Sequence, residues 1–378
     1  MKAVVIGAGA WGLPAAAELA RRGHTVQLLD RYGPANQLSS SSGLTRIWRV
    51  SHPDRLRTRL ALRSVEAWQR LAAITGITVT LQRGLVWRDE RTWRDVADSL
   101  EAEGVPYTLI DPDDVGRWFP GLRPDGRPAV WQKDAGPVLA NHALDAQVSL
   151  LALSRGELVT GARVLEVDPS GTDVVVRCAD GRTFDADVVV IAAGPGAEPL
   201  LRGVGVDLAL RPVLEQVCHV GRGADTDGLP CIYEGPIGDE PGMYGMPTPG
   251  RGYKLGIDLQ LRDFHEDDHD RVPDPAITAA ISARAARSFA TLDPTVIDGQ
   301  VCTWTDSPDG RFVLDTVHGG RVVVAAGDSG EGFKYSALMG PLLADLAEGV
   351  PPDPDVAALG LARFARGEAV PGGPVPPR

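Results

Sequence analysis

Lys2-Ala3-Val4-Val5-Ile6-Gly7-Ala8-Gly9-Ala10-Trp11-Gly12-Leu13-Pro14-Ala15-Ala16-Ala17 opens the chain with an apolar run, three spaced glycines and an alanine-rich segment. Its first five residues form a short apolar run with β-branched side chains, which predicts a strand buried on both faces. From Leu13 to Arg22 the apolar residues recur with helical spacing, and Gly23 ends that helix. Thr25 to Leu29 predict a second strand closing on Asp30, 18 positions after Gly12. In this β-α-β setting the three glycines have separate duties. Gly7 permits a tight turn, Gly9 lets backbone N–H groups approach a pyrophosphate, and Gly12 lets helix and strand pack closely. The helix start adds partial positive charge, and Asp30 is placed to accept ribose hydroxyls. A glycine-rich turn of some other α/β protein is the competing explanation. The strand before it, the helix after it and the acid beyond it weigh against that.

Outward from this unit, 53–74 predict a long amphipathic helix with Leu56, Leu60, Trp68 and Leu71 on or near its apolar side. Residues 79–138 mix strand-like runs such as Gly84-Leu85-Val86-Trp87 with a helix near 91–103. Strand patterns follow at 157–167, 171–178 and 187–193. Residues 206–293 alternate strands and loops, with a helix near 275–290. Arg321 to Ala326 read as a last buried strand before a glycine-rich turn and a helix over 335–347. The β-α-β pieces thus fall at the beginning, middle and end. The expected class is α/β: a discontinuous Rossmann-type domain (1–78, 139–205 and 294–365) with an inserted α+β substrate domain on an antiparallel sheet (79–138 and 206–293). Residues 366–378, rich in Pro and Gly, are expected to be a disordered tail.

Composition narrows the partners. A net charge of −12 argues against nucleic acid or an anionic membrane surface. No apolar run reaches the roughly 18 residues of a membrane span. The apolar run after Met1-Lys2 is interrupted by glycines, so it reads as mature structure rather than a signal peptide. The four cysteines lack the spacing of a disulfide or zinc framework, which favours a reducing, cytoplasmic location. A monomer or weak homo-oligomer is expected. The run from His265 to Asp270 has ligand-type side chains but reads better as an acidic loop, so no metal is expected. Lysine occurs only at Lys2, Lys133, Lys254 and Lys334, leaving 34 arginines among 38 cations. A lysine kept against such a bias suggests a need for a compact point charge at Lys254 and Lys334, whereas Lys2 and Lys133 read as chance survivals.

The fingerprint alone does not separate FAD from NAD. A second glycine-rich helix start, Gly327-Asp328-Ser329-Gly330-Glu331-Gly332-Phe333-Lys334, favours FAD, because a flavin edge that becomes anionic on reduction is stabilised there. With Thr45-Arg46-Ile47-Trp48-Arg49, Leu60-Ala61-Leu62-Arg63-Ser64, Tyr253-Lys254-Leu255-Gly256, Gly299-Gln300-Val301-Cys302-Thr303-Trp304-Thr305 and Gly332-Phe333-Lys334-Tyr335-Ser336, nearly the whole chain resembles the monomeric sarcosine oxidase family of D-amino-acid-oxidase-like flavoproteins.

The resemblance implies an FAD held covalently by a thioether from Cys302. It implies a substrate carboxylate gripped by Arg49 and Lys334, Arg46 beside the flavin face, and Lys254 as the cation that activates dioxygen. Further cofactor contacts are expected at Arg31, Ser42, Thr45, Val164, Ala193, Gly194, Gly330, Gly332 and Phe333. Tyr244 keeps a family aromatic. The sequence departs from the family elsewhere: Asp258 stands for an active-site histidine, Ser41 and Ser42 for histidines, and Trp304 for a tyrosine. Because these changes surround the reacting carbon and spare the carboxylate grip, an amino acid other than sarcosine is expected. The expected reaction is oxidation of the C–N bond of a small secondary or N-methyl amino acid, with O2 as acceptor. Two alternatives stay open: a tailoring oxidase making a cyclic imine or aromatised acid, and a non-catalytic or electron-relaying FAD subunit.

Overall fold

A computed structural model describes residues 1–265 and 267–366. The expected tail lies almost wholly outside them.

The apolar strands form one six-stranded sheet. Lys2–Ile6 pairs in parallel with Thr25–Leu29 on one side and Val188–Ile191 on the other. The full order is Val313–Val317, Val322–Ala326, Val188–Ile191, Lys2–Ile6, Thr25–Leu29, Glu157–Val159. All neighbours are parallel except the first pair. The central strands carry apolar side chains on both faces because both faces are covered. Helix Gly12–Arg21 packs on one face beside helix Ser336–Ala347. Gly12 is needed there: a Cβ would lie 2.0 Å from the Gly7 carbonyl oxygen.

An eight-stranded sheet forms the second layer, in the order Val296–Asp306, Arg211–Val220, Gly252–Asp263, Met243–Thr248, Cys231–Glu234, Leu85–Arg88, Ala129–Gln132, Thr108–Ile110. It is antiparallel throughout, save one parallel pair between Cys231–Glu234 and Leu85–Arg88. Val296–Asp306 falls in a stretch expected with the nucleotide-binding segments, yet it pairs along its whole length with Arg211–Val220. Its alternating exposure suits an antiparallel strand with one open face: Cys302, Trp304 and Asp306 are part-open, whereas Val301, Thr303 and Thr305 are buried.

Two further pieces join the layers. Thr45–Arg49 pairs with Ala135–Leu139. Helix Arg55–Thr75 starts at Asp54, whose side chain accepts the Arg57 N–H, and stops at Gly76 in the left-handed region (φ 71°).

Candidate active site

One cavity of about 1330 Å³ runs between the two sheets, from Gly7 and Gly9 at one end to Trp87 and Tyr233 at the other. At the first end Gly7 has φ 103°, and a Cβ there would lie 2.4 Å from the Ala192 carbonyl oxygen. The turn is held by side chains: Asp30 Oδ2 accepts the Ala8 N–H at 2.8 Å, and Ser41 Oγ accepts the Ala10 N–H at 2.8 Å. Among the described residues, the N–H groups of Gly9, Trp11 and Gly330 have no protein partner. Unpaired donors at glycine turns on one elongated cavity fit a dinucleotide with a polar ring system at its far end. Arg31, Val164, Ala193, Gly194, Gly332 and Phe333 all line this cavity. Asp30 has a second duty that sequence reading missed, because its Oδ1 also accepts the N–H groups of Tyr32 and Gly33.

Ser42 and Thr45, expected at the cofactor, do not line the cavity. Thr45 is fully buried, with its hydroxyl 2.7 Å from that of Thr248. Ser42 is buried and contributes its carbonyl to Arg46. Within Thr45–Arg49 adjacent residues face opposite ways, so Arg46 lines the cavity and Thr45 does not. Gly12 also stays behind the wall, in its packing role.

The far wall follows from strand periodicity. In Gly252–Asp263, Lys254, Gly256 and Asp258 share one face, whereas Tyr253, Leu255 and Ile257 point into a separate apolar core. Lys254 and Asp258 therefore reach the cavity together. Between them Gly256 makes room for Tyr244, since a Cβ there would lie 2.4 Å from the phenol ring. Cys302 pairs with Glu215 across the neighbouring strands, and both line the cavity. Trp304 lies against Gly330, where a Cβ would meet its indole at 3.5 Å.

Electrostatics give these groups different states. Lys254 is buried, donates to the Thr45 carbonyl at 2.9 Å, and is pushed down to about 7 by burial, with Arg46 adding to the effect. Burial likewise brings Lys334 to about 7, although Glu331 opposes the shift. Asp258 lines the cavity. Loss of bulk solvent raises it to about 6 against the pull of Arg49, and among the described residues its carboxyl has no hydrogen-bond or ion-pair partner. Glu215, fully enclosed, is raised well above the carboxylate range by burial and then by Asp258, and it accepts the Tyr244 hydroxyl at 3.0 Å. Burial also raises the Cys302 thiol.

Arg49 and Lys334 do converge, and they meet on a carboxylate that sequence reading did not assign. Glu331 Oε1 accepts Arg49 Nη2 at 3.2 Å and Lys334 Nζ at 3.2 Å, while Oε2 accepts Arg57 Nη1 at 2.9 Å. Burial would raise Glu331, but Lys334, Arg57 and Arg49 together hold it well below the ordinary range. Arg49 also stacks over Trp87 and Tyr233, 4.7 and 5.4 Å from their ring centres. Trp87, Tyr233, Glu215 and Arg57 carry no local motif; only the fold brings them to the cavity. The stretch 265–270 is not gathered into a metal site among the described residues: Asp267 pairs with Arg31 and Asp268 with Arg262, while Glu266 lies outside them.

A glycine-rich dinucleotide turn opening on a wall of charged and aromatic side chains fits an oxidoreductase that uses a dinucleotide cofactor. The chain belongs to the FAD dependent oxidoreductase (DAO) family, whose model matches residues 2–346. It is 27% identical to the peroxisomal sarcosine oxidase of Homo sapiens, with 96% of each chain covered. It is 30% identical to the monomeric sarcosine oxidase of Streptomyces avermitilis, covering 91% of this chain and 92% of that one. Its fold matches the open form of NikD, described as an unusual amino acid oxidase essential for nikkomycin biosynthesis, with a TM-score of 0.83, 25% identity, and 95% and 96% of the two chains covered.

Proposed function

We propose that the protein oxidises the C–N bond of a small secondary or N-methyl amino acid to an imine, with O2 reduced to H2O2. The single observation that carries this reading is the meeting of Arg49 and Lys334 in the cavity, within electrostatic reach of the partner-free carboxylate of Asp258. A guanidinium and an ammonium at one point suit a carboxylate, and a charge-assisted grip fixes the neighbouring carbon. Asp258, with no partner of its own, takes up the proton of the substrate ammonium so that the neutral amine can react. FAD, when bound between the glycine turns and Cys302, supplies the two-electron acceptor for hydride from the α-carbon. Lys254 provides a buried cation for negative charge developing on dioxygen. Tyr244 and Trp304 shape the space around the reacting carbon.

Cys302 lines the cavity on the same wall as Lys254, which supports its reading as the covalent tether. Acid-denatured wild type is expected to keep its yellow colour in the pellet and Cys302→Ser to lose it. Full release from the wild type removes Cys302 from that role. The activity itself is tested by peroxide release from holoprotein across a panel of N-methyl, cyclic and primary amino acids. Turnover of the first two classes is expected. Flavin that no member of the panel reduces would sink the proposal and favour an electron-relaying subunit.

A further inference from the structure

The substrate-side residue with the most direct hold on both clamp cations has no role in the reading above. Glu331 sits between Gly330 and Gly332, and a single oxygen, Oε1, receives both Arg49 and Lys334. Its other oxygen is tied to Arg57. We infer that Glu331 is a positioning residue: it bridges Arg49 and Lys334 and holds them as a pre-formed seat for the carboxylate of the substrate. The inference rests on the amino acid reading of this cavity.

Two considerations separate a seat from an occupied site. The first is donor supply. A lysine ammonium has three N–H donors and a guanidinium five. Lys334 spends one on Glu331. Arg49 spends one on the same oxygen, and its buried Nε has no partner. Donors therefore remain on both cations after Glu331 is satisfied. The second is charge. Arg49 and Lys334 bring two positive charges to one Glu331 oxygen. Without Glu331 the cluster would repel itself; with it, positive charge is left over for one more anion.

The bridge also governs a proton. Lys334 faces Glu331, Arg49 and Arg57, the ring of Tyr335 at 5.6 Å, and His52, which burial keeps neutral. Asp258, on the opposing sheet, lies within electrostatic reach of Arg49 and Glu331. Glu331 is the carboxylate that opposes loss of the Lys334 proton; burial and the two arginines favour that loss. Removing the Glu331 charge should therefore release the proton at lower pH and take the ammonium from the seat.

The test is a titration of holoprotein with propionate, a carboxylate without an amine, followed by flavin absorbance from about pH 5 to 9. Wild-type affinity is expected to fall as pH rises through about 7. In Glu331→Gln that fall should move to lower pH; a shift of one pKa unit weakens binding roughly fivefold at pH 7 and roughly tenfold well above it. Tighter binding in Glu331→Gln would show that Glu331 competes for the seat, and an unmoved pH limb would show that it does not govern Lys334; either overturns the inference. Wild type that binds no propionate at any pH overturns the carboxylate grip itself. Should Glu331→Gln fail to fold, Glu331→Asp carries the test. It keeps the charge and shortens the bridge, so the limb should stay near neutrality with weaker binding, and tighter binding would again refute the seat.

Discussion

The two ends of the cavity are built on opposite principles. At the nucleotide end, strands buried on both faces leave no side chain free for chemistry, so function falls to the turns after them. The unpaired donors there are backbone N–H groups, arranged by glycines a few residues apart. At the substrate end an antiparallel sheet offers one open face. Every second residue of several strands looks into the cavity, and the site is assembled from side chains distant in sequence. A change at the first end should act through the backbone, on folding and cofactor retention. A change at the second should act on one chemical step and leave the fold intact.

Lys254→Met makes the sharpest use of that contrast. Removing a preorganised charge of this kind slows the affected step roughly 10²- to 10³-fold. Reoxidation by O2 should show that loss in stopped-flow, while anaerobic reduction by substrate stays within a few-fold of wild type. Equal losses in both half-reactions would remove Lys254 from the oxygen step. Since burial brings Lys254 to about 7, wild-type reoxidation should slow as pH rises through that value.

Gly7→Ala is the counterpart at the other end. Its Cβ would meet a backbone carbonyl at 2.4 Å in a conformation with φ 103°, so the turn must deform. A cost of about 1–3 kcal/mol is expected for forcing such backbone, read as a lower Tm and loss of bound FAD. A variant with native Tm and full flavin content would break the comparison. The smallest effect should come from Asp258→Asn. The wild-type rate of anaerobic reduction should rise with pH through about 6, as the carboxyl loses its proton and becomes able to accept one. The substitution should remove that limb, and a profile unchanged by it takes Asp258 out of the reaction.

The same contrast explains what could be read from the chain. The β-α-β unit was legible because its determinants, Gly7, Gly9, Gly12 and Asp30, are local and each answers to a backbone requirement. Lys254 and Lys334 stood out by lysine scarcity. Glu331 was in view, between two glycines and three residues before Lys334, but nothing local says that an acid there faces three cations. Glu215 carried a weak signal as an acid within an apolar run, Arg211 to Val220. Trp87 and Tyr233 carried none, because the parallel pairing that brings their strands together joins segments far apart in the chain. Ser42 and Thr45 do not line the cavity, although Ser41 and Arg46 beside them do.

The central claim is that paired cations select a carboxylate-bearing amine for oxidation. Anaerobic mixing of holoprotein with N-methyl amino acids, and with the same amines lacking the carboxylate, tests it most directly. Flavin bleaching by the acids, with decarboxylated analogues slower by at least tenfold, is the predicted result; each charge-assisted bond lost costs about 1.5–3 kcal/mol. Equal bleaching by both sets would contradict it.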